Sequence, residues 1–205
     1  MNDSPVKVDK AFPYKEFDIC KYFKETTDGV TAMVCACKRS GKTVLMEDWV
    51  KRLQDGKARD YKEAYLFSGT AFAQPGVFEW IPTKNKREKI DMGLLNKIFE
   101  SQKKKRLRYE EMGQEPHRVL MIFDDVLSDA NVRDRNGIFS SIFTMGRHYR
   151  LDAFVLLQSF KGIMPTNRSN CDLVVCFRPP EFIVRADIAD TYLSIANGMS
   201  RNAVR

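Results

Sequence analysis

Apolar residues fall in short, uninterrupted runs of strand length at about residues 31–36, 64–68, 119–123, 153–157 and 173–177. Two stretches between them show helical spacing: Leu45, Met46, Trp49, Val50 and Leu53 after the first run, and Leu94, Leu95, Ile98 and Phe99 after the second. A third, about 138–147, places Ile138, Phe139, Ile142, Phe143 and Met145 on one face. Runs without polar alternation belong to strands buried on both faces, and their alternation with helices predicts an α/β fold with a mainly parallel sheet covered on both sides. Residues 1–30 carry Phe12, Phe17, Ile19, Tyr22 and Phe23 without a strong period, which predicts a strand and turn packed on a core edge. Ile188, Tyr192 and Ile195 suggest one apolar helix face in 179–205. One domain results, with a core at 31–178 between an N-terminal extension and a C-terminal helical segment.

In such a sheet ligands sit beyond the carboxyl ends of the strands, so chemistry is sought in the residues after each apolar run. Met33 and Val34 lead into Ala36, Cys37, Lys38, Arg39, Ser40, Gly41, Lys42, Thr43 and Val44, the pattern of a phosphate-binding loop. Backbone N–H groups and the positive end of the following helix would cradle a polyphosphate there. Gly41 permits close approach, Lys42 reaches the β and γ oxygens, and the Thr43 hydroxyl is a Mg²⁺ ligand. Ala36 stands where this pattern expects its first glycine, which implies a turn that alanine tolerates.

Asp124 and Asp125 follow the run ending at Phe123. The first suits a metal-holding carboxylate and the second a group that orients the attacking water. Gln158 ends the run 153–157, expected beside the strand of Asp124, where an amide can touch the terminal phosphate or the water. Arg147, with Arg150, reads either as an ordinary charge favoured at a helix C-terminus or as a group neutralising charge in a neighbouring subunit's phosphoryl transfer, and Arg168 is a second candidate arginine that could equally cap or bridge locally.

The chain has 205 residues, enough for one well-filled core, and a formal net charge of +7, which favours polyanionic partners. Its five cysteines, Cys20, Cys35, Cys37, Cys171 and Cys176, form no metal-binding spacing and fit a reducing compartment. No apolar run approaches the roughly 20 residues of a membrane span.

Taken in order, residues 38–43, Phe123-Asp124-Asp125, Gly146-Arg147-His148, Leu157-Gln158-Ser159 and the segment from Pro165 through Arg168 to Asn170 resemble the FtsK/HerA superfamily of P-loop ATPases, and within it the genome-packaging ATPases of large DNA viruses, over residues 30–178. The resemblance implies a RecA-like sheet, ATP with Mg²⁺, a ring of five or six subunits and an arginine supplied in trans, carried onto Arg147. It also implies translocation of double-stranded DNA into a preformed capsid at a portal vertex, in the cytoplasm or virus factory of an infected cell, or in the virion. Basic positions Lys84, Lys86, Arg87 and Lys89, and the run Lys103 to Arg108, are candidate DNA contacts, the alternative being a solvated loop or helix face. The alternatives are another FtsK/HerA-type DNA translocase, a P-loop kinase of a nucleotide or small molecule, and a nucleotide-binding scaffold without turnover. Cellular translocases usually carry Glu at the position of Asp125.

Overall fold

The structure is a computed structural model that describes residues 17–73, 76–126, 130–159 and 162–177. The apolar face expected in 179–205 and the start of the N-terminal extension lie outside those residues. The described part is one six-stranded sheet of order β3-β2-β4-β5-β1-β6, with every adjacent pair parallel. The strands are β1 (Thr31–Cys35), β2 (Tyr61–Ser68), β3 (Lys86–Arg87), β4 (Arg118–Asp124), β5 (Leu151–Leu157) and β6 (Leu173–Cys176). The helices are α1 (Ile19–Glu25), α2 (Lys42–Asp55), α3 (Met92–Glu111), α4 (Ile138–Met145) and α5 (Pro165–Ser169).

Strands β1 and β5 are buried at every position, because both faces of the sheet are covered. On one face Met33, Phe123 and Val155 pack with Leu95, Phe99 and Phe143 of α3 and α4. On the other Val34, Ile122 and Leu156 pack with Phe23 of α1 and Met46, Trp49 and Leu53 of α2. Alternate residues of a single strand thus serve two cores, which is why these runs show no polar alternation.

Where a strand and turn were expected near the N-terminus, the chain forms α1. Its start is capped by Asp18, whose carboxylate accepts from the Lys21 N–H at 3.0 Å, and Ile19 and Phe23 are buried one helical turn apart. The aromatic content that suggested a strand is used here for packing against α2 and Phe154. Helix α3 continues through the basic run, and the helix expected to reach Arg147 stops at Met145, followed by a 3₁₀ turn over Gly146–Tyr149.

At the amino edge of the sheet, buried Asp152 accepts from the Val30 N–H at 2.7 Å, from Tyr61 Oη at 2.7 Å and from Arg59 Nε at 3.1 Å, with Arg118 at 3.8 Å. The two guanidinium groups also donate to carbonyls of residues 26–28, tying the α1–β1 connection to the sheet. Burial and the neighbouring arginines lower the Arg118 pKa to about 10, against the opposing pull of Asp152. We predict that Asp152→Ala costs about 3–5 kcal/mol, because it strands two buried cations. Urea unfolding checks this, and a loss under 1 kcal/mol would show that the network contributes little.

Candidate active site

The carboxyl ends of β1, β4 and β5 meet around a cavity of about 570 Å³. Residues 38–44 form one wall, Asp124, Asp125 and Gln158 face them, and Ser68, Gly69 and Thr70 after β2 complete the rim. All the expected phosphate-loop residues, both aspartates and Gln158 therefore converge. Their convergence follows from register: Cys35 pairs with Leu157, and Asp124 with Leu156, so three strands end at one level.

The loop resolves the departure at Ala36. Its N–H donates to Leu157 O at 3.0 Å, extending the β1–β5 pairing, and the left-handed turns fall instead on Arg39 (φ 60°) and Gly41 (φ 92°). Alanine is thus accommodated in ordinary extended pairing. Gly41 caps α2 at a φ that disfavours any Cβ, and a Cβ added there would have nothing within 4 Å, so the backbone faces open space. The free N–H groups of the first turn of α2 and its positive dipole end face the same cavity. Lys42 is only 8 % exposed, and its ammonium donates to the carbonyls of Ala36 at 2.9 Å and Cys37 at 3.0 Å, curling over the loop.

Opposite, burial and then the charge of Asp125 push the Asp124 carboxyl up, while the Lys42 ammonium and the Ser68 hydroxyl pull it down. A half-buried carboxylate in this setting gains from a cation. Asp125 is exposed and left-handed (φ 57°), with its N–H on Leu156 O at 3.2 Å, and its carboxylate accepts from Gln158 Nε2. The strained backbone turns Asp125 away from the sheet, and the amide holds its carboxylate in place. Thr43, Asp124, Ser68 and Thr70 supply only oxygen donors, the chemistry Mg²⁺ selects, and one carboxylate beside a triphosphate suffices for it. The residues present fit a Mg²⁺–nucleotide.

The two arginines are not in this cavity. Arg147 is exposed on the 3₁₀ turn before β5, and its carbonyl accepts from the Gly29 N–H at 2.9 Å. Gly29 passes so closely that a Cβ would lie 2.3 Å from Leu151 O, which pins this corner to the amino edge of the sheet. Arg168 lies on α5 and donates to Ile163 O at 3.0 Å. Of the basic positions, Lys86 and Arg87 form the edge strand β3, and Arg87 also pairs with Asp91 at 3.5 Å. Lys105 pairs with Glu63 and Arg106 with Glu115, whereas Lys103, Lys104 and Arg108 are exposed.

Sequence reasoning missed Ser68 and Thr70. The signal was present, since two hydroxyl residues flank a glycine directly after an apolar run, but nothing in the chain announces that β2 lies against β4.

Among curated proteins, none matches the chain significantly. The solved structure of B204, the DNA-packaging ATPase from Sulfolobus turreted icosahedral virus, is similar with a TM-score of 0.57 and 15% identity, covering 86% of each chain. The genome packaging NTPase B204 from Sulfolobus turreted icosahedral virus 2, in complex with ATP-gammaS, is similar with a TM-score of 0.54 and 13% identity, again over 86% of each chain. At that identity the likeness is one of fold, a P-loop NTPase sheet. Family membership comes from the sequence itself: the profile of the poxvirus A32 protein matches residues 26–190, a span that holds the phosphate loop, the paired aspartates and Gln158, and the chain therefore belongs to that family of viral genome-packaging ATPases.

Proposed function

We propose that the protein is one subunit of a ring motor that hydrolyses ATP to drive double-stranded viral DNA into a preformed capsid, in the cytoplasm of the infected cell. The observation that carries this reading is the single cavity in which Lys42 and Thr43 face Asp124, Asp125 and Gln158. The loop N–H groups and Lys42 bind and orient the triphosphate. Thr43 and Asp124 would hold Mg²⁺, which neutralises phosphate charge when bound. Asp125 takes the proton of the attacking water and Gln158 keeps its carboxylate aimed, so water is the acceptor in place of a second substrate.

Arg147 acts on the neighbouring subunit's nucleotide. The seven residues of β5 separate it from Gln158, about 20 Å at roughly 3.3 Å per residue, too far for its own cavity. Its exposure on a corner held rigid by Gly29 supports a role across a subunit contact. Lys103, Lys104 and Arg108, free on α3, suit sequence-independent phosphate contacts that weaken with salt.

The test is phosphate release across protein concentration, with and without duplex DNA, in wild-type protein and in mixtures with Arg147→Ala. We predict a concentration threshold, stimulation by DNA, and loss of activity steeper than the fraction of variant mixed in. Turnover independent of both DNA and concentration would contradict the motor, and strictly proportional loss on mixing would place Arg147 within one subunit's own chemistry.

A further inference from the structure

The turn after β2 forms the wall of the cavity beside Asp124. Ser68 ends β2 in register with Asp124 and is 3 % exposed. Its hydroxyl lies 3.4 Å from Asp124 Oδ2, 3.2 Å from Thr70 Oγ1 and 3.3 Å from the Thr70 backbone nitrogen. Thr70 itself is exposed to the cavity.

These contacts assign the protons. The Asp124 carboxylate accepts from the Ser68 hydroxyl, and the Thr70 N–H only donates. Ser68 has one hydroxyl proton, which goes to Asp124, and its two lone pairs receive the N–H and the O–H of Thr70. The Thr70 proton therefore points inward, and its oxygen turns lone pairs toward the cavity. An oxygen so polarised is a poor neighbour for phosphate oxygens and a good one for a water O–H.

We infer that Thr70 is an outer ligand of the nucleotide's Mg²⁺, accepting a hydrogen bond from a water carried by the ion, with Ser68 as the positioning residue that sets this polarity and holds Asp124. This rests on the ATPase reading above. Mg²⁺ bound through one or two carboxylates and phosphates keeps several waters, and those waters are strong donors. The location agrees: β2 pairs with β4, so Thr70, two residues past the Ser68–Asp124 register pair, lines the cavity beside the carboxylate that would hold the ion.

The test is equilibrium binding of a fluorescent ATP analogue to the full chain, titrated with Mg²⁺ and repeated in EDTA. Thr70→Val keeps the shape and removes the oxygen, Thr70→Ser keeps the oxygen, and Ser68→Ala removes the polarity. Outer-ligand losses typically weaken metal binding about 10–100-fold, so Thr70→Val and Ser68→Ala should need at least about tenfold more Mg²⁺ for half-maximal binding. Thr70→Ser should follow the wild type, and in EDTA all four proteins should bind alike. A Thr70→Val titration superimposed on the wild type would overturn the inference, as would equal weakening with and without Mg²⁺, which would mean contact with the nucleotide or damage to the fold. Wild-type protein that binds no nucleotide at any Mg²⁺ concentration would instead remove the ATPase reading itself.

Discussion

Phosphate release by the Lys42→Ala protein should fall by about 10²–10³-fold, equivalent to about 2.7–4 kcal/mol of lost transition-state stabilisation. Lys42 is the buried cation of the cavity, its ammonium held by the carbonyls of Ala36 and Cys37 over the loop. No other lysine or arginine among the described residues is both buried and part of this cavity, so nothing nearby replaces it. The charge would act on both sides: it would bind the phosphate oxygens of the proposed nucleotide, and it lowers the cost of keeping Asp124 ionised. Nucleotide affinity should drop along with turnover. The fold should survive, because Lys42 opens a helix that is anchored by Met46, Trp49, Val50 and Leu53. Melting temperature and phosphate release measured together decide the point. Wild-type turnover in a folded Lys42→Ala protein would remove the phosphate-loop chemistry altogether.

The Asp125→Asn protein should bind nucleotide at least as well as the wild type yet hydrolyse it about 10²–10⁴-fold more slowly, the usual worth of a positioned general base. The substitution is clean for a structural reason. Asp125 sits at φ 57°, a left-handed conformation that asparagine also tolerates, so the backbone N–H can stay on Leu156 O. The asparagine carbonyl can still accept from Gln158 Nε2, which leaves the local shape intact. Only the charge and the basicity are lost, and with them the repulsion between Asp125 and a bound terminal phosphate. Single-turnover hydrolysis alongside nucleotide affinity separates the two effects. Slow hydrolysis with retained affinity identifies Asp125 as the group that activates water, whereas unchanged hydrolysis would assign that role elsewhere. Asp125→Ala is the poorer probe, since alanine at positive φ adds backbone strain.

Most of the core could be read directly from the chain, for one physical reason. Strands buried on two faces carry long apolar runs, and those within Thr31–Cys35, Arg118–Asp124 and Leu151–Leu157 stand out against a chain that is 30% charged. The phosphate loop and the paired aspartates were equally plain, because their chemistry is packed into consecutive residues. Gln158 was placed correctly beside Asp124, and β4 and β5 are indeed neighbours. Elements stabilised by tertiary contacts were harder to find. Helix α1 depends on docking against α2, β3 is two residues pairing with an edge, and α5 is a single short segment between β5 and β6. The network on Asp152 joins residues far apart in the chain, so no spacing signals it.

Local chemistry along the chain is enough to establish a phosphate loop, an acidic pair and a parallel sheet covered on both sides, because each depends on neighbours in sequence or on burial that leaves polar residues out. Strand order is different in kind. It is set by which surfaces pack once the chain has closed on itself, and here it brings Ser68 against Asp124 and the Gly29 N–H onto the Arg147 carbonyl at the amino edge. Both contacts join residues far apart in the chain, and they follow from long-range pairing that no short stretch of residues encodes.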